Sequence, residues 1–197
     1  MNTETTTTED LLRSLDLAPP EQLHRDTVLT VGAADSVTTT DSPIGPVWIS
    51  WNTRGVTALS PHFATPTMDD FFELHRRTAY AARSIPTELS DIVTDAMESL
   101  DARDVPIDMS GLAPFQQSVL TACATIPVGQ VRPYGWIAGE INNPGSVRAV
   151  GTALGHNPIP ILVPCHRVVR SDGTVGQYAF GADIKHDLLV REGALLA

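Results

Sequence analysis

The sequence predicts an α/β protein in two unlike parts, and three observations carry that expectation. Residues 27–60 are rich in Val, Ile, Thr and Trp and are punctuated by the turn signals DSPIG and NTRG, which is a strand pattern. Residues 67–101 carry apolar side chains at helical spacing. From Pro114 onward helical segments dominate, and two short ones flank Asn142-Asn143-Pro144-Gly145, a helix-turn-helix candidate.

Taken in order, residues 1–26 predict an acidic, flexible extension: TETTTTED is polar and of low complexity, and LLRSLDL is a short helix candidate stopped by Pro19-Pro20. Strands are expected at Thr27–Val31, Ser36–Thr40, Val47–Trp51 and Gly55–Leu59. A helix over 67–81 follows from Met68, Phe71, Phe72 and His75, and another over 87–101 from Leu89, Ile92, Val93, Ala96 and Leu100. VPIDMS is a candidate last strand. This makes residues 27–109 a small α/β domain and 110–197 a second, mostly helical domain.

In the second part Phe115, Val119 and Cys123 share one face of a helix from Pro114 to about Thr125. A short helix over Tyr134–Ile141 precedes the Asn-Asn-Pro-Gly joint. Asn143 is placed to cap the next helix, with Pro144 at its first position and Gly155 at a left-handed end. The last helix is expected near Asp183–Glu192 and closed by Gly193.

Composition excludes several classes. No run approaches the ~18 apolar residues of a membrane span, and the first residues carry neither a basic region nor an apolar core, so no signal peptide is expected. Two cysteines in 197 residues do not make a disulfide scaffold. A reducing cytoplasm and a monomer are the expectation. The net charge of −10 argues against nucleic acid only until its distribution is read. Residues 1–112 hold 18 acidic and 7 basic residues, whereas 113–197 hold 5 acidic and 6 basic. The acidity belongs to the first part.

Chemistry concentrates at Cys165. Prolines at 158, 160 and 164 stiffen the approach, and Cys165-His166-Arg167 follows at once. A thiol of pKa ~8.5 needs a base to become a nucleophile near neutrality. His166 is the candidate base, although neighbours on a strand face opposite ways, so a turn or a bridging water is required. Ile184, Leu188 and Glu192 share a helical stripe, which aims a carboxylate at the core from a helix C-terminus. There the dipole and desolvation disfavour it unless a His or Arg pairs with it. A Cys165–His166–Glu192 relay follows, the alternative being a solvated helix end. Cys123, on the Phe115–Val119 stripe, is expected in the core. His156, Cys165 and His166 lack CxxC or HxxxH spacing, so no metal site is expected, and no cofactor motif is present.

At PCHRVV a resemblance emerges. Residues 111–193 resemble the C-terminal domain of the alkylguanine-DNA alkyltransferases through PFQQSVL, IPVGQVRPYGWIA, NPGSVRAVG, GHNPIPILVPCHRVV, DGTVGQYAFG and IKHDLLVREG, in order and in spacing. A weaker likeness at DSPIGPVWIS implies the family's small ribonuclease-H-like N-terminal domain ahead of a winged helix-turn-helix-like one. The implied reaction is suicide repair of double-stranded DNA: a guanine alkylated at O-6 is flipped out and the alkyl group passes permanently to Cys165. His166, through a water, and Glu192 match the relay. Tyr134 matches the residue that crowds the target phosphate and donates to the departing guanine. Arg148 matches the finger that fills the vacated stack. Asn157 matches a hinge, Val168 a backbone acceptor for the base amine, and Tyr178 a pocket wall. Ala149, Gly151 and Ala153 suit close approach to a minor groove.

The chain departs from the family pattern at Ala179-Phe180-Gly181, which lacks a hydroxyl and adds bulk, and at His186-Asp187, which costs positive charge. These leave the range of alkyl groups open. A non-transferring binder of alkylated DNA is the competing reading, disfavoured by the presence of Cys165. A cysteine hydrolase would differ by turning over.

Overall fold

A computed structural model describes residues 21–75 and 77–195. The LLRSLDL segment and most of the acidic extension lie outside the described residues. The first element among the described residues is α1 (Glu21–Thr30), and it overturns two expectations: Thr27–Thr30 are helical and not strand, and the boundary at 26 falls inside a helix. The threonines that favour a strand are accommodated in the helix by local hydrogen bonds. Thr27 and Thr30 donate their hydroxyls back to the Leu23 and Asp26 carbonyls, at 2.7 Å each. Gly32, at φ +68°, then turns the chain. Although α1 buries no residue, Arg25 stacks over Tyr80 at 5.3 Å and donates to the Ala81 carbonyl at 2.6 Å.

β1 (Asp35–Thr40), β2 (Val47–Asn52) and β3 (Gly55–Pro61) form an antiparallel meander, and β4 (Ala79–Ala81) joins β1 in parallel, giving the order β3-β2-β1-β4. α2 spans only Met68–Leu74, not 67–81. Thr67 and Asp70 close a capping box at its start. Its end is drawn away by Asp35, whose buried carboxylate binds His75 at 2.9 Å and Arg77 at 3.0 Å. The chain leaves the helix to supply those two partners, then pairs with β1.

α3 (Thr87–Ser99) follows, ending in Leu100 at φ +60°. The VPIDMS strand reduces to a single parallel bridge between Ile107 and Val56. Gly55 is required there: a Cβ would lie 2.3 Å from the Pro106 carbonyl oxygen, and φ is +140°.

In the second part α4 (Pro114–Ala124), α5 (Tyr134–Glu140), α6 (Val147–Gly155) and α7 (Ala182–Arg191) pack together. β5 (Arg132–Pro133) and β6 (Val168–Val169) pair in parallel. Pro144 opens a 3-10 turn over Pro144–Ser146 rather than α6 itself. Asn143 caps with its carbonyl, which accepts from Ser146 Oγ at 2.7 Å, and not with its side chain. The left-handed residue of this region is Asn142, at φ +53°, whereas Gly155 stays helical. Gly193 is left-handed as expected, at φ +72°.

One hydrophobic cluster runs through both parts, from Ile49 and Leu59 on the sheet to Leu120, Ile137, Val150 and Leu188 on the helices. Burial on this scale, at about 25 cal/mol per Å², joins the parts into one core. Among the described residues no helix is long and apolar enough to cross a membrane.

Candidate active site

The prolines before Cys165 end in a tight 3-10 turn, Cys165–Arg167, and not in a strand. Asn157, just beyond α6, organises it. Its Nδ2 donates to the Val163 carbonyl at 2.9 Å and to Cys165 Sγ at 3.2 Å, while its Oδ1 accepts from the Ile159 amide at 3.0 Å. Ile161 between them is buried at φ +73°, a costly conformation for a β-branched residue that the packed surroundings impose.

The turn sends Cys165 and His166 to different partners. The His166 ring is fully buried, and its Nε2 lies 2.7 Å from Glu192 Oε1. A carboxylate can only accept, so Nε2 carries the proton and Nδ1 presents a lone pair. That Nδ1 is buried and makes no hydrogen bond among the described residues. His166 does not touch the thiol directly; the group bound to Sγ is the Asn157 amide.

Glu192, the residue after α7, is enclosed as its helical stripe predicts. Beyond His166 it accepts two bonds from Arg167 Nε, at 3.1 and 3.0 Å, and one from Arg167 Nη2 at 2.9 Å. Arg167 also donates to the Ile126 carbonyl at 2.5 Å and to the Leu100 carbonyl at 2.6 Å. Burial alone would raise the Glu192 pKa, but the His166 and Arg167 hydrogen bonds outweigh it and hold the group ionised. Burial lowers the His166 pKa, partly offset by Glu192, so the imidazole is neutral near pH 7.

Sequence reasoning missed Arg167 and Lys185. Arg167 has no spacing signal. Lys185 had one: it shares a stripe with Leu188 and Glu192, and Lys185, Leu188 and Leu189 are the buried residues of α7. Its Nζ donates to the Val168 carbonyl at 2.6 Å, and burial lowers its pKa to about 8. Burial raises the Cys165 pKa, and the Asn157 amide and the Lys185 charge partly counter that. The resting thiol is therefore protonated but sits in a field that favours its anion.

A pocket of about 250 Å³ opens on the thiol, lined by Tyr134, Gly151, Leu154, Cys165, Tyr178 and Ala179 among others. The β5–β6 pairing assembles it, because β5 runs into Tyr134 as β6 leaves the cysteine turn. The Tyr178 hydroxyl is buried and, among the described residues, makes no hydrogen bond; its ring lies beside that of His166. Arg148 does not line this pocket; it lies exposed on α6 beside exposed Val147 and Ala149. Ala153, expected on that open face, is buried instead. The Val168 carbonyl is already engaged by Lys185, leaving one lone pair. Cys123 is buried in α4, its pKa raised well above the ordinary value by desolvation. Among the described residues no cluster of His, Cys, Asp and Glu could hold a metal ion.

A family model described as "6-O-methylguanine DNA methyltransferase, DNA binding domain" matches residues 114–194. The methylated-DNA–protein-cysteine methyltransferase of Salmonella typhimurium is 38% identical over 160 residues, covering 79% of this chain and 94% of the relative. The crystal structure of Mycobacterium tuberculosis O6-methylguanine methyltransferase superposes with a TM-score of 0.66 at 35% identity, covering 81% of this chain and 93% of that one. A structure of the Mycobacterium tuberculosis OGT in complex with DNA gives 0.63 at 34% identity, covering 82% and 93%.

Proposed function

The chain belongs to the family of methylated-DNA–protein-cysteine methyltransferases, and from that membership we propose that it repairs double-stranded DNA by moving an alkyl group from guanine O-6 to its own Cys165, once per molecule. The observation that carries the residue assignment is the buried chain Asn157–Cys165 and His166–Glu192–Arg167 at the floor of an open pocket. Such a site holds one thiol, one neutral imidazole with a free lone pair and one fixed anion behind it.

The thiol proton leaves through a water to His166 Nδ1, and Glu192 stabilises the imidazolium that forms. The sulfur attacks the alkyl carbon in line. An S–C bond forms as the C–O bond breaks, and that electron pair passes to the guanine ring. Tyr134 donates its proton to the departing base and is reprotonated through water from the His166 imidazolium, so the net proton moves from thiol to guanine. Asn157 and the Lys185 charge stabilise the sulfur while it is anionic, which is where preorganised dipoles count most. The thioether left behind cannot be displaced by any group in the pocket, which accounts for a single turnover.

Base access requires flipping. The 3-10 turn and α6 form the second half of a helix-turn-helix, and the open face of α6 carries Arg148, which fills the vacated stack. Tyr178 walls the pocket, and the free lone pair of the Val168 carbonyl accepts from the base amine. We read the part that ends at residue 109, α1 included, as a ribonuclease-H-like domain, 110–197 as a winged helix-turn-helix-like domain, and the protein as a cytoplasmic monomer.

The test is a stoichiometry. A fixed amount of duplex bearing O6-methylguanine is titrated with protein, and restored guanine is counted. One guanine per protein molecule is expected, and none for Cys165→Ala. More than one per molecule would mean turnover and a different reaction; none for the unsubstituted protein would mean a non-transferring binder.

A further inference from the structure

The wall of the thiol pocket is a loop without a ladder or helix of its own, held by short turns and by Tyr178 packed against the core. Between β6 and α7, residues 170–181 form no helix or strand, and glycines 173, 176 and 181 all take positive φ. A turn ties Arg170 to Thr174 at 3.0 Å, the Gly181 amide donates to the Tyr178 carbonyl at 3.1 Å, and Lys185 reaches the Gln177 carbonyl at 3.4 Å. Tyr178 and Ala179 of this loop line the pocket over Cys165.

Phe63 reaches the same loop from the other half of the molecule. It follows β3 and is 55% exposed, unusual for a phenylalanine. Its ring meets Phe180 edge to face, with centroids 5.9 Å apart and planes at 89°. Phe180 in turn meets Tyr178 at 5.4 Å and 88°, and Tyr178 meets His166 at 6.4 Å and 81°. An aromatic chain thus runs from the N-terminal half to the imidazole.

The base of Phe63 is firm. The Leu59 amide donates to the Pro158 carbonyl at 2.7 Å, which ties β3 to the segment that carries Asn157. The turn over 61–65 is closed by the Ala64 and Thr65 amides on the Pro61 carbonyl, and Thr65 and Ser60 share a buried hydroxyl contact of 2.6 Å. Phe63 therefore stands on a firm base against a loop that has only short turns and Tyr178 to hold it.

We propose that Phe63 is a specificity-determining residue: by bracing Phe180 it holds the Tyr178–Ala179 wall against the thiol pocket and favours small alkyl groups over bulky ones. The inference rests on the alkyl-transfer reading above. A methyl group makes few contacts of its own and depends on a preorganised wall to align its carbon with sulfur. A benzyl group fills the space and supplies its own packing, so it suffers less when the wall relaxes.

Two measurements decide it. Transfer rates are taken on duplexes bearing O6-methylguanine or O6-benzylguanine for the unsubstituted protein, Phe63→Ala and Phe63→Tyr, with melting temperatures alongside. Phe63→Ala should lower the methyl-to-benzyl rate ratio by about 3- to 10-fold, the effect of one aromatic contact, with melting unchanged and the ratio restored by Phe63→Tyr. A ratio within about twofold of the unsubstituted protein, or equal losses on both adducts with lowered melting, overturns the proposal. Hydrogen exchange of residues 174–181 is measured without substrate. It should quicken in Phe63→Ala, and unchanged exchange also overturns the brace. If the unsubstituted protein modifies no cysteine, the alkyl-transfer reading fails, while the exchange comparison still decides whether Phe63 holds the loop.

Discussion

Glu192 shows how one residue combines stability with chemistry. Its carboxylate sits at a helix C-terminus, out of water, where the dipole and desolvation oppose it, yet four bonds from His166 and Arg167 hold it. Glu192→Gln should slow transfer strongly and, by leaving Arg167 buried without its anion, cost on the order of 3 kcal/mol, read as a fall in melting temperature. Normal rate with normal melting would mean the carboxylate is only a helix end. The pH dependence follows from two opposite displacements. Burial raises the Cys165 pKa and lowers that of His166, so the imidazole is already neutral while the thiol is still protonated near pH 7. Because His166 receives the thiol proton within the site, transfer on free O6-benzylguanine should climb only as the imidazole loses its proton below its ordinary value, stay level through neutrality, and change again past about 8, where Lys185 loses its charge. A rate that rises about tenfold from pH 7 to 8 contradicts this. Cys165, His166 and Glu192 were legible because residue type, proline spacing and a helical stripe all converged on them. Arg167 was not, because its partners Ile126, Leu100 and Glu192 come from three distant segments.

At the scale of elements, α6 carries the prediction for base flipping. Arg148 is exposed on α6, away from the thiol pocket. Arg148→Ala should slow transfer on duplex by about 100-fold, in the range of a lost transition-state contact of ~2.7 kcal/mol, while changing the free-base rate by less than about twofold. Equal losses on both would indicate a folding role. The Asp35 cluster carries the prediction for acid stability. Burial alone would raise the pKa values of Asp35 and Asp108, but hydrogen bonds outweigh it, from His75 on Asp35 and from Arg54 on Asp108, so both fall below the ordinary range. A depressed folded-state pKa gives stability that is present above the unfolded value of ~3.9 and is lost as pH falls through the folded values. Asp35→Asn should therefore melt lower at pH 7 and lose less on acidification below pH 4. Identical acid slopes would contradict this. This cluster also marks where the fold escaped the sequence. Helices α3, α4, α5 and α6 and the meander are periodic patterns with local turn signals, and they were readable. The end of α2 and the start of β4 are set by Asp35, some forty residues upstream, a tertiary demand that no local window contains.

For the whole molecule, the question is how a chain of net charge −10 engages a polyanion. The second part is nearly neutral, and Arg167 is consumed by Glu192, so Arg148 and Arg170 are more available to phosphate than Arg167. Because α1 holds residue 26 within a helix that docks on Tyr80, a cut at 26 would break it, and the extension is best cut ahead of Glu21. Residues 1–20 hold four acidic residues and one basic, so their removal takes the charge from −10 to −7. The truncated protein should bind undamaged duplex more tightly at low ionic strength, with the difference fading as salt screens it; coincident salt titrations would remove any electrostatic role for the segment. The identity of the whole protein as a single-use repair agent comes down to one mass. After mixing with duplex containing O6-methylguanine, intact mass spectrometry should show every active molecule heavier by one methyl group, and peptide mapping should place it on Cys165. An unchanged mass, or a methyl group on Cys123, would contradict the proposed reaction outright.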